Sequence, residues 1–155
     1  MVSNKLPLFI LLALLTFSIN SFAQDGIKWH KFDEGLSKAQ AEDKFLLVDF
    51  YTDWCGWCKK MDANTYTDKA VIDLINANFV AVKMNPEKDN AVNYQEKNYP
   101  AANFAQAAGV TGYPATGFFE SDSDFIATVP GYMEPDKMIE LLNFIAQKKY
   151  LEEQE

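Results

Sequence analysis

Two stretches of this chain, "KFLLVDFY" and "FVAVKM", are apolar almost without a break. A strand with one face in water alternates apolar and polar residues. Near-continuous runs of this length instead mark strands buried on both faces, the condition of a parallel sheet covered by helices. The rest of the chain supplies such covers. Residues 36–43 read as a short helix after a short strand over 27–32. "TYTDKAVIDLINANF" reads as a helix ending near Asn78 behind a Thr67-Asp68 cap signal. "ANFAQAAGV" closes on Gly109, a residue suited to ending a helix. "ATGFFE" and "FIATVP", joined by Ser121-Asp122-Ser123-Asp124, read as an antiparallel hairpin, and Pro135 opens a last helix with Met138, Leu141, Leu142 and Ile145 on one stripe. Residues 86–100 are polar and weakly patterned, a loop or a loosely helical insertion. The expectation is an α/β fold, a mixed central sheet with helices on both faces, as one domain over residues 24–155. An apolar fraction of 48% is enough to fill its core without disulfides.

Residues 1–23 differ in kind. Lys5 precedes an apolar run from Leu6 to Ile19, and Ser21-Phe22-Ala23 offers small residues where a signal peptidase reads. The run is short for a membrane span, which needs roughly 20 residues, and Pro7 lies inside it. Cleavage after Ala23 and a periplasmic or secreted mature protein are expected. Cleavage takes the formal charge from −8 to −9, and the chain has no arginine. Such a surface repels nucleic acid and lacks the usual bidentate phosphate ligand, so no nucleic-acid partner is expected.

The only two cysteines stand in "WCGWCKK", directly after the first buried strand and at the start of helix-forming sequence. A disulfide closing so short a loop constrains the unfolded chain by only about 2 kcal/mol, which makes a poor staple. A metal site needs three or four ligands, and the only imidazole, His30, lies well before the pair in or beside the first strand, so no metal is expected. A redox pair accounts for more of the stretch. Cys55 at a helix start meets backbone N–H groups and the positive dipole end, which favour thiolate and make it the nucleophile. Cys58, one turn on and on the same side, is the resolving thiol.

Asp49 interrupts "LLVDF", where an unpaired carboxylate is costly. Either it reaches water at the sheet margin, or it is desolvated beneath the helix, with a raised pKa that lets it exchange a proton with Cys58. Lys83 in "AVKMN" poses the same problem on the neighbouring strand, and pairing with Asp49 answers both. In "GVTGYPAT" the aromatic Tyr113 before Pro114 raises the chance of a cis bond, which local sequence leaves open.

With these residues in hand, the chain resembles the thioredoxin family over roughly 27–147. "VDFYTDWCGWCKK" matches the family's strand, acid, tryptophan and CxxC-Lys in order and spacing. "VAVKMN" is similar to the next strand with its lysine, "GVTGYP" to the cis-proline segment, and "VPGYMEPDKMIELL" to the closing strand, glycine and helix. Within the family the likeness is to exported thioredoxin-like proteins and the C-terminal thioredoxin-like domain of membrane thiol-reductant carriers. The resemblance implies Cys55 as nucleophile, Cys58 as resolver, Asp49 as buried acid and Lys83 as its partner. It implies that Trp54, Gly56, Trp57, Tyr113 and Pro114 face the substrate. No cofactor beyond the Cys55–Cys58 pair is implied. The implied partners are disulfide-containing proteins and a thiol-reductant donor, a membrane carrier among the candidates. Trp57 departs from the proline common in thioredoxin, and the 86–100 stretch is longer than usual. Asp49 and Lys83 resemble the reducing members more than the strong oxidants, whose site usually has a histidine between the cysteines, so a protein-disulfide reductase is expected. The alternatives are an oxidase or isomerase, or a binding or chaperone module on the same scaffold.

Overall fold

The computed structural model describes residues 26–154, so the expected leader and its cleavage site lie outside the described residues. The elements run β1 (Trp29–His30), α1 (Phe32–Glu42), β2 (Phe45–Phe50), α2 (Gly56–Asn64), α3 (Lys69–Asn78), β3 (Phe79–Met84), β4 (Val92–Tyr94), β5 (Lys97–Tyr99), α4 (Ala101–Ala107), β6 (Ala115–Phe119), β7 (Phe125–Pro130) and α5 (Pro135–Ala146), then a closing 3₁₀ turn. The main sheet has the order β1-β3-β2-β6-β7. β1, β3 and β2 are parallel, and β6 and β7 are antiparallel to their neighbours, which is the mixed sheet expected.

The two apolar runs are the central strands. Leu46, Leu47, Val48 and Phe50 of β2 are fully buried, and the two faces of the sheet feed separate cores. On one face Leu46, Val48, Phe50, Val82 and Phe119 pack against Phe32 and Leu36 of α1 and Phe104 of α4. On the other, Leu47, Ala81 and Phe118 pack against Met61 of α2, Val71 and Ile75 of α3, and Met138, Leu142 and Ile145 of α5. Burying each large side chain stabilises the fold by about 1.5–3 kcal/mol relative to exposure. Asp68 caps α3 by accepting from the N–H groups of Ala70 and Val71, at 2.9 and 3.1 Å. Gly109, with φ +79, follows α4 in the left-handed conformation that suits glycine.

Three local expectations are corrected. The first strand is only Trp29–His30, because Lys31 is already the N-cap of α1 and Phe32 begins a buried helical stripe with Leu36 and Ala39. Helix α1 therefore starts earlier than the expected 36–43. Only the start of the 86–100 stretch, residues 86–91, is a loop; beyond it β4 and β5 form an antiparallel hairpin around Gln95 and Glu96. Both turn residues take positive φ, 48 and 62°, a turn usually announced by Asn-Gly or Asp-Gly, and Gln-Glu carries no such signal. The hairpin is anchored by Val92, which is buried, and by Tyr94, whose ring centroid lies 5.3 Å from that of Phe104 and 5.8 Å from that of Phe119.

Candidate active site

β2 ends in the core and the chain turns through Thr52, whose carbonyl accepts from Cys55 N–H at 3.2 Å, to start α2. Cys55 is the N-cap, with extended backbone (φ −74, ψ 102), and its Sγ accepts from Cys58 N–H at 3.1 Å. Sulfur thus fills the capping position that a Ser or Asp oxygen usually holds, at the positive end of the helix. Cys55 and Cys58 are joined as a disulfide with Cα atoms 5.3 Å apart. In this oxidised form both cysteines are buried, with exposures of 4% and 3%, so neither is the more accessible. Sγ of Cys55 turns inward to its partner, and the exposed positions beside it go to Trp54 and Trp57.

These indoles are held from both sides. Trp54 Nε1 donates to the Glu87 carboxylate at 3.1 and 3.2 Å, and its ring meets Tyr113 edge-on at 6.0 Å. Trp57 lies 5.4 Å from Tyr132, and Lys60 Nζ lies over both rings, at 5.0 and 4.6 Å. The Tyr113–Pro114 bond is cis, and the Pro114 carbonyl accepts from Gly131 N–H at 2.8 Å. Trp57, Tyr113, Pro114, Gly131 and Tyr132 line an open groove of about 390 Å³. Gly56 begins α2 with open space where a side chain would start, so the main chain there is open to an approaching partner.

Beneath the helix, β2 and β3 are in register at Asp49 and Lys83, and β6 sets Thr116 opposite Asp49 on its other side. Asp49 is 2% exposed and lies in the alternation with Leu47, on the sheet face that α2 covers with Cys58 and Met61. The sheet-margin alternative for Asp49 is therefore ruled out. Its Oδ2 receives Lys83 Nζ at 3.1 Å. Burial pushes its pKa from 3.8 up to about 6, against the pull of the Lys83 charge and a weaker one from the Tyr66 hydroxyl. Lys83 is shared: its Nζ also donates to Asp62 of α2, one turn beyond Cys58. It sits among the rings of Trp29, Tyr51 and Tyr66, 5.3, 4.8 and 5.9 Å from their centroids. Burial opposes the Lys83 charge, but the two carboxylates outweigh it and raise its pKa.

The structure thus brings together Cys55, Cys58, Trp54, Gly56 and Trp57 with Tyr113 and Pro114, and sets Asp49 and Lys83 under α2. His30 stands apart: buried in β1, its Nδ1 is 2.7 Å from Glu34. Sequence reasoning missed Asp62, Glu87, Tyr132, Tyr66 and Thr116, and read Gly131 only as the glycine of the closing segment. Asp62 had a signal, since residues four apart on a helix share a side.

The profile of a thioredoxin-like domain matches residues 32–146. A thiol:disulfide interchange protein, DsbD, of Pseudoalteromonas atlantica is 29% identical over 105 residues, 66% of this chain and only 16% of that protein's length. Among solved structures, a candidate disulphide-isomerase of Bacteroides thetaiotaomicron superposes with TM-score 0.63 and 30% identity, covering 77% of this chain and 93% of the other. The C-terminal domain of Neisseria meningitidis DsbD, in reduced form, does so with TM-score 0.54 and 25% identity, covering 71% and 90%. The chain, with a disulfide between Cys55 and Cys58 in a CxxC arrangement at the start of α2, belongs to the thioredoxin-like family of thiol–disulfide oxidoreductases.

Proposed function

We propose that the protein is an exported reductase of protein disulfides that works through Cys55 and Cys58. In the reduced protein the Cys55 thiolate attacks a substrate disulfide, forming a mixed disulfide and expelling one substrate thiolate. Cys58 then gives its proton to the Asp49 carboxylate, and its sulfur attacks Cys55 Sγ. The Cys55–Cys58 bond forms, the mixed disulfide breaks, and the second substrate thiolate leaves. The substrate gains two electrons and the cysteine pair loses them. A thiol reductant must return them, and the likeness to part of DsbD supports a carrier of that class as donor.

The observation that carries the direction is the buried Asp49. With a pKa of about 6 it is mostly ionised at neutral pH, so it is a base in place for Cys58. Its negative charge under the pair also disfavours thiolate, while Cys55 Sγ accepts one main-chain N–H, from Cys58. A poorly stabilised reduced form is a strong reductant. Trp54, Trp57, Tyr113, Pro114 and Tyr132 supply an apolar rim and groove for the polypeptide around the substrate cysteine. Export rests on the leader-like residues 1–23.

Equilibration of the pair against glutathione, followed by the fluorescence of Trp54 and Trp57, tests the direction. A potential more negative than about −230 mV is expected, and a clearly higher one overturns the reductase reading. The likeness to a candidate disulphide-isomerase favours isomerisation as the second reading, which the higher potential would support. Sequencing the protein recovered from outside the cytoplasm is expected to start it at Gln24.

A further inference from the structure

Asp49 holds Lys83 through Oδ2, while its Oδ1 is buried without a hydrogen-bonding partner. Two hydroxyls share that condition on the same sheet face, those of Tyr66 and Thr116. Thr116 is the register partner of Asp49 across β2 and β6 and is fully buried. Tyr66 arrives from the turn after α2, where its N–H donates to the Met61 carbonyl at 3.0 Å. Its ring is wedged edge-on against Trp29 at 4.9 Å, and it is 6% exposed. Its hydroxyl lies near enough to Asp49 and Thr116 for both to act on it, without hydrogen-bond geometry to either. Three polar oxygens that burial should have paired therefore converge beneath the cysteine-bearing helix.

Their chemistries are complementary. A carboxylate only accepts, whereas a hydroxyl accepts one hydrogen bond and donates another. Burial first, and the Asp49 charge next, hold the Tyr66 pKa well above 10, so its proton stays in place at any working pH. We infer that Tyr66 is a positioning residue for disulfide exchange: its O–H donates to Oδ1 of ionised Asp49, with Thr116 donating to the phenol oxygen behind it. This chain of donors holds the carboxylate as the acceptor of the Cys58 proton. No electron passes through it, and Tyr66 touches neither sulfur nor substrate. The inference rests on the proposed role of Asp49 as the base.

The charged and titratable groups facing Asp49 are Lys83 from β3, Asp62 from α2 acting beside Lys83, and Tyr66 itself. A Tyr66→Phe change keeps the ring against Trp29 and leaves Lys83 and Asp62 in place, so it removes one donor alone. Thr116→Val keeps shape and burial and tests the same chain without touching a ring.

The test is single-turnover reaction of the reduced protein with 5,5′-dithiobis(2-nitrobenzoate) between pH 5 and 9. In the second phase Cys58 gives up its proton, its sulfur bonds Cys55 Sγ, and the aromatic thiolate leaves with a colour change. Tyr66→Phe should move the pH midpoint of that phase upward by about one unit, roughly tenfold slower below the midpoint and unchanged at pH 8 and above. Thr116→Val should move it the same way by less, and decides the matter if the phenylalanine variant fails to fold. In an Asp49→Asn background, where the phase is slow and lacks the Asp49 midpoint, rising with pH only as the Cys58 thiol itself ionises, Tyr66→Phe should add nothing. An unshifted midpoint in both hydroxyl variants, or equal slowing at every pH, overturns the inference while leaving Asp49 as the base. An Asp49→Asn protein that resolves at the wild-type rate overturns both.

Discussion

Replacing Asp49 by Asn should make the protein more stable at neutral pH, by an amount the burial of the carboxyl sets. Asp49 moves from an ordinary 3.8 to about 6 on folding, chiefly by desolvation. The folded protein therefore binds this proton more tightly than the unfolded chain. Below pH 3.8 both states carry it and nothing is lost. Between 3.8 and 6 only the unfolded chain ionises, so stability falls as pH rises, and above 6 the loss is complete. A shift of that size corresponds to about 3 kcal/mol at pH 7.5 and roughly 0.5 kcal/mol at pH 4. Asparagine removes the cost and keeps the shape, and Lys83 retains Asp62 as a partner. Denaturant unfolding of the oxidised proteins at the two pH values measures this as a difference, which cancels the titrating groups that do not face Asp49. The stability of Asp49→Asn relative to wild type should grow by about 2.5 kcal/mol from pH 4 to pH 7.5. A gap that stays constant, or a variant less stable at pH 7.5, would refute the desolvated carboxyl and with it the base proposed for Cys58.

The neighbours of Asp49 give a second outcome in the same assay. Asp62→Asn removes a charge that raises the Asp49 pKa and leaves Lys83 to Asp49 alone, so the pH window of destabilisation should shrink from its upper end, and an unchanged window would deny the coupling. Leu142→Ala, at a fully buried position of α5, should cost about 2–5 kcal/mol in unfolding free energy while leaving the disulfide's potential unchanged. Cys58→Ser should accumulate substrates as covalent adducts on non-reducing gels and Cys55→Ser almost none; equal trapping by the two would contradict the assigned nucleophile.

Most of the fold was legible because it is written in short-range patterns. Unbroken apolar runs located β2 and β3, a cap signal at Asp68 located α3, and a proline located the start of α5. The misreadings are places where local signals point the wrong way. Phe32 reads as the end of a strand, yet its ring is needed in the α1 stripe that covers Val82 and Phe119. The β4–β5 hairpin has polar strands and a Gln95-Glu96 turn, and what holds it is aromatic contact between Tyr94, Tyr99 and Phe104, residues adjacent only after folding.

The site divides along the same line. Cys55, Cys58 and Trp54 are read from one continuous motif, and Asp49 and Lys83 are anomalies against apolar strands, so each announces itself in its own stretch of chain. Tyr66 and Thr116 announce nothing. A tyrosine after a helix and a threonine in a strand are ordinary, and they matter only because strand register sets Thr116 opposite Asp49 and because α2 ends where Tyr66 can turn under it. The acid's environment is therefore a sum over elements: burial and Asp62 raise its pKa, while Lys83 and Tyr66 lower it, leaving a value of about 6. Because Asp62 rides on the helix that carries both cysteines and Lys83 on the strand beside Asp49, any movement of α2 against the sheet changes two of these contributions at once.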